Sequence, residues 1–466
     1  MVRPAHRHSV DLGAVPRGAD VALHPPTTGA QDAGRDRVLV VDSIPLGGPA
    51  PRRVAGVTEL KVDAAPEEVG LDAARLGRLD EVYGRYVAAG QLPGYTIAVT
   101  RGGRVAHLSH GGHADVDSGR PVVDDTLWRI YSMTKPVTSV AAMVLLERGA
   151  LELTDPVSRY IPEFEDARVY VGGSAAAPGT RPASEPIRVW HLLTHTAGLT
   201  YGFHHAHAVD EIYRARGYDF GAPADTDLAA ACAAWARLPL LFDPGTEWNY
   251  SVATDVLGRV VEVASGRTLD AFLTDEVLAP LGMTDTAFSV GADDTHRLAT
   301  LYVPTPDGLR RSGAMGDAAT RPPTFLSGGG GLVSTAGDYH RFTQMLRRGG
   351  ELDGVRLLSP RTVAYMTRNH LPGGTDLDAF GRPLYAESEF RGVGFGLGFS
   401  VVVDPVAGRR LSSAGEYAWG GLARTAFLVD PAEDLTALFF TQVLPGGPVL
   451  PLRSQLRTLV LQALVD

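Results

Sequence analysis

The sequence predicts an α+β fold in which one antiparallel sheet is built from both ends of the chain and a mainly helical lobe is inserted between them. Residues 96–112 alternate apolar and polar side chains, and short β-prone segments separated by turn signals return after about residue 390. Between about residues 132 and 390, several segments instead show the apolar spacing of helices, and long loops join them. Residues 451–466 close the chain as a further predicted helix.

The chain is expected to begin with a poorly ordered tail, because residues 1–55 are rich in Pro, Gly, Ala and Arg and show no sustained period. We assign one domain to residues 56–466. Its sheet lobe is expected at about residues 70–130 and 390–466, and its helical lobe at about residues 132–390.

A helix and a β-hairpin open the domain. Apolar spacing that begins at Leu71 predicts a helix ended by Gly90. The alternating segment that follows is interrupted by Arg101-Gly102-Gly103, which favours a tight turn between two strands.

The segment after Ser132 predicts a buried helix. From Val137 onward, apolar residues occupy the i, i+3, i+4, i+7 and i+8 positions, and other apolar residues fill the opposite side. Gly149 is the expected carboxyl-terminal stop, and Pro136 limits how far upstream the helix can begin. Ser132 is therefore expected at or very near the amino terminus of this helix.

Composition narrows the class of function. The 466 residues are 44% hydrophobic and 21% charged with a formal net charge of −10, and this acidic balance argues against nucleic-acid binding. No apolar run is long enough to span a bilayer, and the amino terminus lacks a secretory signal. The single cysteine, Cys232, excludes an internal disulfide and is expected to be a buried packing residue. We expect a cytoplasmic protein without metal or cofactor that acts on a small-molecule substrate.

Ser132-Met133-Thr134-Lys135 is the first piece of a candidate catalytic site. A serine hydroxyl needs a neighbouring base to become a good nucleophile, and residues three apart on a helix share a face, so the Lys135 amine can reach the hydroxyl. Lys61 and Lys135 are the only lysines of the chain, and a buried lysine, unlike an arginine, can give up its proton. The helix amino terminus favours a developing negative charge. The alternative is a capping serine followed by a solvated lysine.

Tyr250 is the second piece, in the segment Trp248-Asn249-Tyr250-Ser251-Val252 ahead of a predicted helix. A phenol can act as acid or base if a nearby ammonium stabilises its ionised form. Contact between Tyr250 and the serine depends on the fold rather than on local spacing. Without that contact, a tyrosine at a loop–helix junction is a packing residue.

The third piece is Trp419-Gly420-Gly421-Leu422. Paired glycines on an edge strand permit close approach of a substrate, and unpaired N–H groups there can donate hydrogen bonds. We expect the backbone N–H groups of Ser132 and Leu422 to form an oxyanion hole, and the three residues before Leu422 to contact substrate. The alternative is a bulge or a tight turn.

Together these motifs resemble the serine β-lactamase and penicillin-binding-protein superfamily, in which Ser-x-x-Lys is a catalytic signature. The resemblance is strongest to the class C β-lactamase-like family VIII carboxylesterases and their acyltransferase relatives, and it spans about residues 75–466. It implies a β-lactamase/transpeptidase-like fold and a serine carboxylesterase that forms an acyl-enzyme on Ser132. It also implies Lys135 and Tyr250 as general base and general acid, and the sequence leaves open which of the two acts first as the base. The segments that carry it are YSMTKPVTSV, IRVWHLLTHTAGL, PGTEWNYSVATDVLG, GGGGLVSTAGDYHRF and AWGGLARTAFLVDP.

Two positions depart from the β-lactamase pattern. Val252 stands where the Tyr-x-Asn motif has its Asn, and Trp419-Gly420-Gly421 stands where Lys-Thr-Gly is common. Both changes remove polar partners for the amide and carboxylate of a lactam, and an uncharged Trp suits an apolar acyl or alcohol group. Because both changes are usual in the esterase branch that the sequence resembles, we expect an esterase and include Val252 among the substrate-binding residues.

Several alternatives stay open. A β-lactamase, a D-amino-acid peptidase or an acyltransferase to an alcohol or amine acceptor would use the same centre, and a non-catalytic binding protein could keep the fold. A Ser–His–Asp triad is less favoured, because the sequence contains no G-x-S-x-G motif of the kind that positions the nucleophilic serine of such a triad. Histidines could also hold a metal, but they lack the Glu of a zinc-protease motif, and a polar loop at the rim of the cleft is the preferred interpretation. These histidines are His191, His195, His204, His205 and His207.

Overall fold

The structure is a computed structural model that describes residues 59–223, 225–382, 390–447 and 449–466. The tail predicted for residues 1–55 lies outside the described residues. Within them, no helix is both long enough and apolar enough to cross a membrane.

Most of the helices lie in the middle of the chain, whereas the strands of the main sheet come from its two ends. The helices are α1 (Ala73–Ala88), α2 (Thr134–Glu147), α3 (Val189–Leu193), α4 (Ala208–Ala215), α5 (Leu228–Ala236), α6 (Ala253–Ser265), α7 (Leu269–Leu273), α8 (Ala314–Asp317), α9 (Ala336–Arg347), α10 (Pro360–Met366), α11 (Leu377–Phe380) and α12 (Leu452–Leu461). The strands are β1 (Gly94–Arg101), β2 (Arg104–Asp115), β3 (Arg120–Pro121), β4 (Trp128–Arg129), β5 (Arg168–Ser174), β6 (Ala177–Pro182), β7 (Tyr302–Thr305), β8 (Gly308–Arg311), β9 (Val333–Ser334), β10 (Glu351–Leu352), β11 (Val355–Arg356), β12 (Val393–Phe395), β13 (Ser400–Val402), β14 (Tyr417–Gly420), β15 (Ala426–Asp430) and β16 (Leu435–Phe440).

One eight-stranded sheet joins the two ends of the chain. Its strand order is β12-β13-β14-β15-β16-β1-β2-β3, and each neighbouring pair is antiparallel. The ends meet where β1 pairs with β16, with Thr96 opposite Phe440. The predicted α+β fold, with a sheet built from both chain ends around an inserted helical part, is confirmed. The described residues also contain four two-stranded ladders that the sequence patterns did not predict, and three of them, β5–β6, β7–β8 and β10–β11, lie within the inserted part.

Side chains of the central strands alternate between two hydrophobic cores, one on each face of the sheet. Ile97 and Val99 of β1 pack in the core that includes residues of α1 and α12. Ala98, which lies between them, packs in the larger core with residues of α2 and α9. The helix that follows Ser132 is therefore held against the sheet by its own apolar surface.

Helix α2 begins two residues after Ser132, as predicted. A 3-10 turn over Tyr131–Met133 leads directly into the helix, and residues 134–145 are all buried. Gly149 adopts a left-handed conformation with a φ of 68° just after the helix end, which suits a glycine stop. Tyr131 also has a positive φ, 43°, a strained conformation for a tyrosine that turns the chain sharply ahead of the serine.

Candidate active site

Ser132 and Lys135 come together as the helical spacing predicts. Lys135 Nζ donates a long hydrogen bond of 3.4 Å to Ser132 Oγ from one turn further along the chain. The lysine is only 1% exposed, although it carries an amine. The alternative of a solvated lysine is therefore wrong.

The Lys135 amine has two further acceptors that the sequence patterns did not predict. It donates to the Gly329 carbonyl oxygen at 2.7 Å and to the Tyr201 hydroxyl oxygen at 3.0 Å. With Ser132 Oγ, these contacts give the amine three hydrogen-bond partners. The pKa of the Tyr201 phenol is raised well above its usual value by burial and then by the neighbouring Asp255 and Tyr250. Tyr201 therefore remains a neutral hydroxyl that accepts a hydrogen bond from Lys135.

Asp255, in the first turn of α6, is a buried carboxylate beside this amine. Its Oδ1 accepts hydrogen bonds from Ser327 Oγ at 2.6 Å and from the Gly329 N–H at 2.9 Å. Burial raises the pKa of Asp255, and the positive charge of Lys135 opposes that shift. Because Gly329 donates to Asp255 and accepts from Lys135, the carboxylate holds in place one of the acceptors that orient the amine.

The four glycines before β9 make this arrangement sterically possible. A Cβ on Gly329 would lie 2.6 Å from the Asp255 carboxylate, and one on Gly328 would lie 2.8 Å from the Thr254 carbonyl oxygen. Such distances are shorter than real Cβ contacts, so a larger residue would displace the loop that carries the lysine's acceptor.

Tyr250 contacts Lys135 through its aromatic ring rather than through a hydrogen bond from its hydroxyl. Lys135 Nζ lies 4.5 Å from the centre of the Tyr250 ring, which is a favourable cation–π distance. The Tyr250 hydroxyl is buried and has no hydrogen-bond partner among the described residues. The structure therefore brings Tyr250 to the amine, but the predicted convergence of its hydroxyl on Ser132 Oγ is not present as a hydrogen bond.

The Trp419–Leu422 segment is not on an edge strand, contrary to the prediction. Strand β14 lies between β13 and β15, but its pairing with β13 ends at Ala418, so Trp419 and Gly420 pair only with β15. One side of this short stretch consequently lacks a strand partner. The strand ends in a turn closed by the Arg424 N–H, which donates to the Gly421 carbonyl oxygen at 3.0 Å.

Gly421 explains why this turn lies beside the serine. A Cβ on Gly421 would collide with the backbone carbonyl oxygen of Ile130 and with the Thr425 hydroxyl oxygen. Only glycine permits this approach, which places Leu422 and Ser132 around one cavity. The Leu422 N–H makes no hydrogen bond with the described residues. The oxyanion hole expected at this N–H and at that of Ser132 stays a prediction.

A cavity of about 520 Å³ opens beside Ser132. Trp419, Gly420, Gly421 and Val252, the predicted substrate contacts, all line it. Val252 supplies a buried apolar side chain where a lactam-binding site would offer an amide. Aromatic side chains make up about a third of the lining residues, and they are Tyr131, Tyr201, Phe203, Tyr218, Phe220, Trp235, Tyr250, Phe325, Phe390, Trp419 and Phe427.

The interpretation of the histidines as a polar rim is wrong for two of them. His191 and His195 are fully buried, because α3 and the turn after it pack into the core. Burial, with the charges of Lys135 and His204, holds the pKa of His195 well below its usual value, so its neutral ring packs on Tyr250 at 4.9 Å. Of the other three, His204 lines the cavity and donates to the Tyr250 carbonyl oxygen at 2.6 Å.

No group of three potential metal-ligating side chains occurs in the part of the chain that the structure describes. Cys232 is a buried free thiol in α5, as predicted.

The fold and site together define a class of protein. A sheet built from both chain ends, with a Ser-x-x-Lys pair at the start of a buried central helix and a glycine-rich strand end beside it, is the arrangement of β-lactamase-like serine proteins. The sequence is consistent with that class over most of its length, because a family model described as Beta-lactamase matches residues 79–462. The chain belongs to the β-lactamase family.

Individual relatives agree with this assignment. The chain is 40% identical over 363 residues to Protein Rv1367c of Mycobacterium tuberculosis, an alignment that covers 77% of this chain and 87% of that protein. It is 34% identical over 419 residues to Esterase EstB of Burkholderia gladioli, covering 85% of this chain and 97% of the esterase. Its structure is similar to that of EstCE1, described as a hydrolase with promiscuous acyltransferase activity, with a TM-score of 0.70, 28% identity and coverage of 83% and 99% of the two chains.

Proposed function

We propose that this protein hydrolyses carboxylic esters through an acyl-enzyme on Ser132, with Lys135 and Tyr250 handling the proton. The observation that carries the proposal is the buried amine of Lys135, which donates a hydrogen bond to Ser132 Oγ beside a cavity lined in part by aromatic side chains. A buried lysine amine is costly unless its polar group is paired, and here one of its three hydrogen-bond partners is the hydroxyl that lines the cavity. The esterase and hydrolase among its relatives support the same chemistry.

The proposed reaction begins when Ser132 Oγ attacks the ester carbonyl carbon and passes its proton to Lys135 or Tyr250. The N–H groups of Ser132 and Leu422 stabilise the negative charge that forms on the carbonyl oxygen, each by about 3 kcal/mol. Tyr250 then protonates the alkoxide oxygen as the carbon–oxygen bond breaks, and the alcohol leaves. Water attacks the acyl group by the same route, which releases the acid and restores the serine.

Transfer of the acyl group to an alcohol is the second candidate function. It uses the same acyl-enzyme, with an alcohol in the place of water. Its support is the similarity to EstCE1, a hydrolase with promiscuous acyltransferase activity, and a cavity whose volume, about 520 Å³, falls in the range that holds molecules of drug size.

Intact mass spectrometry tests the proposal. The parent, Ser132→Ala and the control variant Ser118→Ala, an exposed serine outside the cavity, are each mixed with nitrophenyl butyrate, a cephalosporin and a fluorophosphonate. We expect a butyryl and a phosphonyl mass gain in the parent and the control but not in Ser132→Ala. Acylation by the cephalosporin alone would instead identify a β-lactamase or peptidase, and no labelling of the parent would favour a binding protein. An alcohol that speeds turnover and appears as its butyrate ester would establish acyl transfer.

A further inference from the structure

A column of stacked aromatic rings extends from the catalytic group of residues to the outer edge of the cavity. Tyr201 stacks on Phe203 with ring centres 4.7 Å apart, and Phe203 stacks on Phe220 with centres 5.1 Å apart and planes inclined by 13°. All three side chains line the cavity. Phe220 is 55% exposed, so much of a large apolar ring faces solvent at the cavity wall. Covering that surface with an apolar ligand would be favourable.

The inner end of the column contacts the groups that would protonate a leaving alcohol. The Tyr201 hydroxyl accepts from Lys135, and the Tyr201 ring lies 5.4 Å from the ring of Tyr250. In the proposed reaction the alcohol oxygen takes its proton from Tyr250, whereas the carbonyl oxygen is stabilised at the Leu422 turn. The carbon chain attached to the alcohol oxygen consequently starts next to Tyr201, where the column begins.

Charge at the column limits the kind of substituent that fits. Asp219, next to Phe220 in the chain, also lines the cavity, and its Oδ1 is buried without a hydrogen-bond partner among the described residues. A carboxylate in this position repels an anionic group and can accept a hydrogen bond from a hydroxyl group on a ligand.

We infer that Tyr201, Phe203 and Phe220 form the subsite for the alcohol part of the substrate, and that this subsite selects alcohols that carry a flat apolar ring and no anionic group. The inference depends on the proposed function. It adds to that function a substrate class and a specificity-determining residue, Phe220.

Two ester series test the subsite. The first keeps an acetyl group and varies the alcohol among ethanol, benzyl alcohol, naphthylmethanol and 4-carboxybenzyl alcohol. All four esters give the same acetyl-enzyme, so differences in kcat/KM report how the alcohol part is bound during acylation. The second series keeps ethanol and varies the acyl group between acetyl and phenylacetyl. The variants are Phe220→Ala, Phe220→Leu and, as a matched control, Tyr365→Ala, which removes a ring that is 46% exposed and lies outside the cavity.

We expect the ratio of kcat/KM for the naphthylmethyl ester to that for the ethyl ester to fall about three- to tenfold in Phe220→Ala, mainly through KM. Phe220→Leu should cause a smaller fall, and Tyr365→Ala none. The 4-carboxybenzyl ester should react more slowly than the benzyl ester, and the phenylacetyl-to-acetyl ratio should not respond to Phe220→Ala.

Other outcomes would overturn the inference in distinguishable ways. An unchanged naphthylmethyl-to-ethyl ratio in Phe220→Ala, or an effect confined to the acyl series, would remove the alcohol subsite while leaving ester hydrolysis intact. If the parent hydrolysed none of these esters and Ser132 took up no acetyl group, the proposed function and the subsite would both fail.

Discussion

Replacing Tyr250 by Phe should separate the proposed catalytic role of its hydroxyl from any role in folding. The hydroxyl is buried without a hydrogen-bond partner among the described residues, whereas the ring packs on those of His195, Tyr201 and Trp419. Phe keeps these ring contacts and removes a polar group whose burial without a partner costs about 1–3 kcal/mol. The free energy of unfolding should therefore stay equal to that of the parent or rise.

The same substitution should lower the rate according to the leaving group. General acid–base catalysis contributes roughly 10²- to 10⁴-fold, and an ethoxide needs a proton to leave whereas a nitrophenolate does not. We expect kcat/KM for ethyl acetate to fall by about that factor in Tyr250→Phe, and to fall at least about tenfold more than kcat/KM for nitrophenyl acetate. Because both substrates form the same acetyl-enzyme, this difference belongs to the first half of the reaction.

The measurements are initial rates, by pH-stat for the ethyl ester and by absorbance for the nitrophenyl ester, together with urea unfolding followed by fluorescence. Tyr213→Phe, in a buried tyrosine of α4 that does not line the cavity, provides a control whose rates should match those of the parent. Equal losses on the two esters with stability intact would refute the role of Tyr250 as the acid for the leaving group. Unchanged rates on both esters would refute any proton-transfer role.

Three further predictions concern buried carboxylates. Burial raises the pKa of the Asp255 carboxyl, so protonation of Asp255 should contribute to the acid-side limb of the kcat/KM profile. Asp255→Asn keeps a hydrogen-bond acceptor but carries no charge at any pH, so this contribution should be absent; a profile identical to that of the parent would contradict this role. Burial raises the pKa of Asp338 to about 6, above its unfolded value near 4, so the free energy of unfolding should fall by about 3 kcal/mol as pH rises through this window. Asp338→Asn should lose that dependence in urea unfolding at pH 4 and 7.5, and an equal pH effect in both proteins would show that Asp338 is not its source. Arg457→Met leaves the fully buried Glu416 carboxylate without its ion-pair partner and should lower the free energy of unfolding by about 3–5 kcal/mol. Adding Glu416→Leu should recover most of the lost stability. An Arg457→Met variant as stable as the parent would contradict the argument.

Elements whose signals are local were predictable from the sequence. The apolar surface of α2, its glycine stop and the position of Ser132 two residues before it follow from spacing within about twenty residues. The hairpin of β1 and β2 follows in the same way from alternation around a Gly-Gly turn. The strand that carries the paired glycines, β14, was predicted at an edge but lies between β13 and β15, because its neighbours come from other segments of the chain.

The missed residues at the site owe their roles to contacts between distant segments. Asp255 lies in the first turn of α6, where an acidic side chain already suits the helix dipole, so nothing in its local sequence indicates a carboxylate directed at the Gly329 loop. The residues around Tyr201 show neither helical nor strand periodicity of apolar side chains, and only the fold brings the Tyr201 hydroxyl to Lys135. The reverse error occurred at His191 and His195, where polar residue types suggested exposure but packing buries them.

Two glycines far apart in the chain determine how close the remaining groups come to the nucleophile. Gly329 lets a loop approach Asp255 closely enough to offer its carbonyl oxygen to Lys135, and Gly421 lets the end of β14 pack on the backbone just before Ser132. A glycine pair is weak evidence in a sequence, since turns and bulges use the same residues. In the folded chain each glycine has a specific neighbour that excludes a Cβ, and the position of the amine and of the Leu422 N–H both depend on that exclusion. The geometry of the site is thus set by backbone approach as much as by the three side chains proposed to react.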